Sequence, residues 1–403
     1  MDTTDMMDTT AMMDTVQQAL HTAIAQVRQN IPAFTDVCQN HSSVKGFYPP
    51  CTNTQWTCGF WPGELWLSYE ATGDKIFRDT AEVQVKSFAN RIGQKICVDH
   101  HDMGFLYSPS CVAAWKVTGS EEGRNAALKA ADQLLSRWQE KGCFFQAWGA
   151  MDSSDNYRYI IDCLLNTPLL YWASGETKNP EYAEKARLHT ATCMANSIRE
   201  DGSTYHTFFM DRESGKPLRG ETCQGYRNDS YWARGQAWSI YGTALAYRYD
   251  RKEAYKAMFE KTLAFYLTKL PEDYVPYWDM IFNDGNAAHD GEVEPKDSSS
   301  ASIVACGLLD MADQLEKTGR TDCQAEIRRY RELAGKMIRS LIERYAVKDP
   351  AVSNGLVLHG TYSKKSPYNT CTPEGVDECV SWGDYFYLEA LIRMTKPDWK
   401  LYW

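Results

Sequence analysis

Ala71-Thr72-Gly73-Asp74 is the first of four short stretches built alike; Val117-Thr118-Gly119-Ser120, Ala173-Ser174-Gly175-Glu176 and Lys317-Thr318-Gly319-Arg320 repeat its form. Each closes an apolar helical pattern on a glycine, which takes the left-handed conformation after a helix without steric cost. A Ser, Asp or Thr beside the glycine then caps the helix that follows. Tyr249-Asp250-Arg251 occupies the same place after an eighth pattern. These turns join helices two by two, and that pairing decides the fold.

Working outward, helical periodicity covers twelve segments: 13–30, 61–71, 75–94, 107–118, 121–140, 158–173, 180–199, 230–248, 251–269, 298–318, 322–346 and 379–394. Strand-like alternation is confined to short pieces such as 274–282 and 352–359. The connections that are not tight turns are longer and carry Trp, His, Asp and Gly. Six helical hairpins with one short and one long connection each predict an all-α fold, an (α/α)6 barrel with short β-ribbons in the long loops. Even-numbered helices mix small and aromatic residues, as in Gly59-Phe60-Trp61-Pro62-Gly63 and Trp382-Gly383-Asp384-Tyr385-Phe386-Tyr387. That composition suits an inner ring, where small residues allow close approach. No Pro/Ser-rich linker divides the chain. The reading is a single domain over 13–403, preceded by a disordered acidic, Met-rich lead over 1–12.

Composition narrows the function. The chain has 403 residues and a net charge of -10, which argues against nucleic acid and anionic membranes as partners. Thirteen Trp, 24 Tyr and 14 Phe are a heavy aromatic load; core bulk covers most of them, and flat aromatic faces in a cleft suit sugar rings. Thirteen Cys, an odd number without a Cys-x-x-Cys, show neither a zinc spacing nor a disulfide framework. Reduced cysteines, the absence of a membrane-length apolar run and an N-terminus without a basic start point to a cytoplasmic protein; a monomer or homodimer is expected, a choice these features do not make.

Two aspartates stand out. Asp162 lies in the apolar run Tyr159-Ile160-Ile161-Asp162-Cys163-Leu164-Leu165, where an ionised carboxylate is costly to bury. Desolvation there would keep it protonated, as a general acid requires. A core Asp bonded to an Arg or a backbone amide is an equal reading. Asp102, in His101-Asp102-Met103-Gly104-Phe105, is a nucleophile, charge stabiliser or hydroxyl anchor, or else a cap for the helix near 107. His100-His101-Asp102 as a metal cluster finds little support among eight His in all. Further along, Trp232-Ala233-Arg234-Gly235-Gln236-Ala237-Trp238 sets a guanidinium beside indole platforms.

These motifs, with Trp56-Thr57-Cys58-Gly59-Phe60-Trp61, Gln224-Gly225-Tyr226, His359-Gly360-Thr361-Tyr362 and Asp377-Glu378-Cys379, resemble the unsaturated glucuronyl hydrolases of glycoside hydrolase family 88. The resemblance spans roughly 15 to 395 in consistent order. It implies an (α/α)6 barrel that needs no metal or organic cofactor. It implies release of a Δ4,5-unsaturated glucuronic acid from the non-reducing end of an unsaturated oligosaccharide made by a polysaccharide lyase, such as a chondroitin or hyaluronan disaccharide. Asp162 would protonate C4 and then activate the water that adds at C5, with Asp102 as the second essential carboxylate. Trp56, His101, His206, Gln224, Trp232, Arg234 and Trp238 would line the uronate subsite, with Arg234 or Gln224 meeting its carboxylate. Members that prefer sulfated substrates carry an Arg before the Gln and a Ser-x-x-Ser-x-Lys segment. Here Cys223 precedes Gln224, and Ser363 and Ser366 are followed by Tyr368 instead of Lys, with Lys364 and Lys365 nearby as substitutes. That departure points to unsulfated substrates or to a non-glycosaminoglycan chain. The competing readings are an unsaturated rhamnogalacturonyl hydrolase, an α/α-barrel sugar isomerase or epimerase using His206 and His359, and a non-catalytic sugar-binding barrel.

Overall fold

The computed structural model describes residues 3–284, 288–289 and 292–403, with side chains from residue 11 onward except at 284, 288–289 and 292. The lead expected over 1–12 lies mostly outside the residues described with side chains. The helices are α1 (Thr3–Phe34), α2 (Phe60–Thr72), α3 (Lys75–Gly93), α4 (103–118), α5 (Glu121–Leu135), α6 (Pro168–Thr177), α7 (Pro180–Asn196), α8 (Ala233–Asp250), α9 (Glu253–Thr268), α10 (Ser298–Glu316), α11 (Gln324–Ser340) and α12 (Ser381–Thr395). Helix α4 runs unbroken through a π turn, Ser108–Val112, where Pro109 has no N–H to give the ladder.

The even-numbered helices are buried along nearly every face, from Phe60 to Ser68 in α2, Ala233 to Tyr247 in α8 and Ser381 to Ile392 in α12. A helix apolar all round belongs inside. The odd-numbered helices bury one stripe, as α11 does with Ile327, Tyr330, Ala334, Met337 and Ile338. Each inner helix packs against the next, and α12 closes the ring against α2. This is the (α/α)6 barrel.

The tight turns behave as the glycines require at Gly73, Gly119 and Gly319, whose φ angles are +72°, +74° and +67°. Asp74 and Ser120 then cap α3 and α5 by accepting from the N–H groups of Ile76 and Gly123. One turn shifts. Helix α6 continues past Gly175 to Thr177, and Lys178 takes the left-handed position at φ +62°. The reason lies downstream: Asn179 caps α7 and Pro180 occupies its first turn, so the break must fall just before them. Arg251, at φ +55°, ends α8 in the same way.

The strands are short ribbons on the long connections. β1 (Cys38–Gln39) pairs with β2 (Pro50–Cys51), β3 (Trp138–Gln139) with β4 (Phe144–Phe145), and β8 (Ala288–His289) with β9 (Glu292–Val293). β5 (Arg158–Ile160), β6 (Thr207–Met210) and β7 (Pro217–Glu221) form a three-stranded antiparallel sheet in that order. This corrects the helix expected over 158–173. Residues 158–160 pair instead with Phe209, Phe208 and Thr207, and a 3-10 turn, Ile161–Leu165, leads into α6. Aromatic and β-branched residues accept a pleated partner when distant backbone supplies one. The alternation at 274–282 and 352–359 yields only isolated bridges, such as Tyr277 with Lys296 and Ala346 with Val357.

Aromatic rings fill the barrel axis. Phe105 meets Trp238 at 5.0 Å between centroids, and Phe386 stacks on Trp403 at 5.6 Å. The segment up to Trp403 covers the end of the barrel where the inner helices finish. Lys116 donates to the carbonyls of Leu401 and Tyr402, and the Tyr249 hydroxyl donates to the Trp403 carbonyl. The opposite end, where inner helices begin, is left to the long loops.

Candidate active site

At that open end lies a cavity of about 800 Å³, lined by Trp56, His101, Asp102, Asp162, His206, Gln224 and Ser363 among others. Local folding explains why these side chains arrive there. Asp102 is the N-cap residue of α4, which begins at Met103, four positions earlier than the start expected near 107, yet its carboxylate makes no capping bond. It turns into the cavity instead. His100 Nδ1 lies 3.1 Å from its Oδ2 and His101 Nε2 lies 3.3 Å from its Oδ1. Burial pushes the Asp102 carboxyl up, but His101, His100 and Asn166 outweigh it and hold the group below its ordinary value. Asp102 is therefore the ionised member of the pair.

Asp162 sits in the 3-10 turn that β5 delivers to the cavity floor. Burial and the nearby Asp102 charge push its carboxyl up to about 7, against the opposing pull of Arg234 and Trp238. Its Oδ1 is buried without a hydrogen-bond partner. Asn166 ties the two aspartates together. Its Nδ2 donates to Asp102 Oδ1 at 3.5 Å and to the Asp162 carbonyl at 3.3 Å, while its Oδ1 accepts from the Phe105 N–H at 2.8 Å. One carboxylate held ionised beside one poised near neutrality is the arrangement that separates an acid from its electrostatic partner.

The β5–β6–β7 sheet brings in the wall. His206 precedes β6, and its carbonyl accepts from the Ile161 N–H at 3.0 Å. Burial, with Arg234 and Arg158 adding to it, pushes the His206 imidazole down to about 3, so the ring is neutral. Its Nδ1 accepts from the Cys223 N–H at 3.0 Å, which leaves Nε2 to carry the proton. Gln224 follows directly after Cys223.

Four predicted site residues stand behind the wall rather than on it. Arg234 is 1% exposed and already engaged: Nη1 donates to the Thr361 carbonyl at 2.6 Å and to Asp297 at 3.2 Å, and Nη2 to the Tyr362 carbonyl at 2.7 Å. Its remaining hydrogen bond goes to Gln224 Oε1 at 3.4 Å, so it orients Gln224. Trp232 backs both His206, at 4.6 Å, and the Arg234 guanidinium, at 4.4 Å. Trp238 belongs to the aromatic floor. Ser366 is buried, donating to the Tyr226 carbonyl and accepting from the N–H groups of Tyr368 and Asn369. His359 pairs with Asp377 at 2.8 Å, outside the cavity.

Other lining residues went unnoticed in the sequence: His41, Gln55, Trp148 and Glu374. Loop residues without periodicity carry no local signal. Tyr362 also lines the cavity, and its signal was present in the His359-Gly360-Thr361-Tyr362 motif. Its hydroxyl accepts from the Trp56 indole N–H at 3.1 Å.

Comparison with known proteins agrees with this arrangement. The model of Glycosyl Hydrolase Family 88 matches residues 30–370. The unsaturated chondroitin disaccharide hydrolase of Streptococcus pneumoniae is 44% identical over 388 residues, covering 96% of this chain and 93% of the relative. The crystal structure of unsaturated glucuronyl hydrolase from Streptococcus agalactiae superposes with a TM-score of 0.89 at 41% identity, covering 97% of this chain and 94% of the other. A variant of the S. agalactiae enzyme complexed with dGlcA-GalNAc6S superposes with a TM-score of 0.81 at 38% identity, covering 96% and 93%. With barrel, cavity and near full-length likeness in accord, this chain belongs to glycosyl hydrolase family 88 and is a glycoside hydrolase.

Proposed function

We propose that the enzyme releases a Δ4,5-unsaturated glucuronyl residue from the non-reducing end of glycosaminoglycan-type disaccharides. The observation that carries the reading is the aspartate pair: Asp162 poised at about 7 beside an Asp102 held ionised. An ordinary glycosidase protonates an oxygen lone pair. A vinyl ether instead needs a carboxyl that still holds its proton near neutral pH to give it to carbon, backed by negative charge for the cation that results.

In this mechanism Asp162 gives its proton to C4, and the C4=C5 π pair forms the new C–H bond. Positive charge develops at C5, shared with the ring oxygen, facing the Asp102 carboxylate. Water adds at C5 and loses a proton to Asp162, which restores the acid. The C5 hemiketal opens to a ketone, the C5–O5 bond breaks, and the hemiacetal left at C1 collapses to expel the second sugar. Gln224, oriented by Arg234, and the Nε2–H of His206 bind the uronate carboxylate and hydroxyls, with Trp56 as the apolar platform. The N-termini of the inner helices converge on this end and favour an anionic sugar. A cytoplasmic site of action fits the thirteen free cysteines.

The test is direct. Purified enzyme should consume the ultraviolet absorbance of an unsaturated chondroitin or hyaluronan disaccharide, and heavy-oxygen water should label C5 when products are read at early times. Label entering only at the anomeric carbon would make it an ordinary glycosidase. Consumption of unsaturated rhamnogalacturonan fragments alone would select the pectin reading.

A further inference from the structure

Glu374 is a third carboxylate on the cavity wall, and the reaction above has no use for it. Its side chain is 47% exposed, so its charge faces the mouth and not the core. Backbone pairing holds it opposite Ser363: the Ser363 N–H donates to the Glu374 carbonyl at 3.0 Å, and the Glu374 N–H returns a bond to the Ser363 carbonyl at 2.9 Å. The segment between them forms one lip of the cavity, with Thr370, Cys371 and Thr372 on its inner side.

One cation stands beside the lip, Lys365, whose charge reaches Cys371, but it does not line the cavity, and no ion pair to Lys or Arg is seen for Glu374 among the described residues. His41 Nε2 lies 3.2 Å from Glu374 Oε2. Burial holds the His41 imidazole below its ordinary value, so near neutral pH it hydrogen-bonds the carboxylate without neutralising it. Lys364 is paired with Glu294 at 3.3 Å, and Lys365 is turned to the Asn369 carbonyl at 2.5 Å, away from the cavity lining but with its charge intact. Arg158 is stacked between Trp148 and Phe209 on the β5 side. Among the described residues that line the cavity there is no Lys or Arg. The charge of Glu374 is felt at Tyr362, on the same wall.

We infer that Glu374 is a specificity-determining residue, refusing a sulfate ester on the second sugar and accepting a hydroxyl in its place. This rests on the hydrolase reading above. A hydroxyl donates to the carboxylate, whereas a sulfate brings a like charge to it, and repulsion of that kind sets specificity as firmly as attraction does. The dGlcA-GalNAc6S held by the S. agalactiae variant carries the group this lip repels.

The experiment compares kcat/KM on dGlcA-GalNAc6S and on dGlcA-GalNAc for the wild type, Glu374→Gln and Glu374→Lys. The wild type should favour the unsulfated disaccharide by about tenfold or more, the size of one modest like-charge contact. Glu374→Gln should narrow that gap through KM on the sulfated substrate, and Glu374→Lys should close or invert it. On dGlcA-GalNAc each variant weakens the acceptor for that hydroxyl, so kcat/KM should fall by about tenfold at most, through KM, with kcat held. The wild-type gap should also shrink as salt is raised, which a purely structural role would not produce. Equal wild-type rates on both disaccharides, or variants that change both in parallel, would overturn the assignment. Wild-type activity on neither substrate would overturn the hydrolase reading itself.

Discussion

Asp102 and Asp162 are the same residue type in one cavity, and their surroundings set them to opposite tasks. Asp102 occupies an N-cap position yet leaves the helix uncapped, a cost of about 1 kcal/mol by comparison with capped helices. A carboxylate withdrawn from so convenient a partner is being kept for something else. Asp162 carries the larger burden. A carboxyl raised to about 7 stays protonated in the folded state at pH values where the unfolded chain has ionised it. Its contribution to stability is therefore present at low pH and is lost as pH rises from the ordinary carboxylate range to about 7. Asp162→Asn should abolish turnover by about 1000-fold or more while raising the melting temperature. The gain should grow between pH 4 and 7 and level off above. Differential scanning calorimetry across that range checks it, and a pH-independent gain would remove Asp162 from its proposed state. For the wild type, kcat/KM should fall above pH 7 as the acid is lost.

At the scale of elements, the small sheet does what a helix could not. Strand β5 ends one residue before the turn that holds Asp162, His206 precedes β6, and Gln224 follows β7, so one antiparallel register sets three functional positions. The approach of α4 to that turn is equally tight. A Cβ on Gly104 would lie 2.3 Å from the Asn166 Cα, a contact no rotamer can relieve. Gly104→Ala should cost about 3 kcal/mol or more and sever the Asn166 link between the two aspartates. Urea denaturation and activity should fall together. Gly335, inside α11, meets nothing within 4 Å of such a Cβ. Gly335→Ala should raise stability by about 0.5–1 kcal/mol and leave activity unchanged, measured by the same pair of assays.

On the scale of the whole molecule, the barrel is closed at one end so that the other can be open. The rings of Phe60, Phe105, Trp238, Phe386 and Trp403 form an apolar floor under the cavity. Trp403 is 1% exposed, and its indole N–H donates to Glu389 at 2.8 Å. Trp403→Ala should cost about 3–5 kcal/mol and leave Glu389 without that donor. Thermal unfolding checks the loss. An unchanged midpoint would show that the floor stands without it.

Sequence alone determined the pairing of helices, the inner and outer rings, and the two aspartates worth attention. Those follow from periodicity, from glycines that end helices and from the oddity of a carboxylate in an apolar run, all of them local. Tertiary structure alone decided which side chains reach the cavity and in which protonation state. Arg234 lost its free guanidinium to carbonyls at Thr361 and Tyr362, more than a hundred positions away. Residues 158–160 became a strand because partners arrived from 207–209. Glu374 entered the wall through its pairing with Ser363. Burial and long-range partners set hydrogen bonding and charge, and neither can be read from a residue's immediate neighbours.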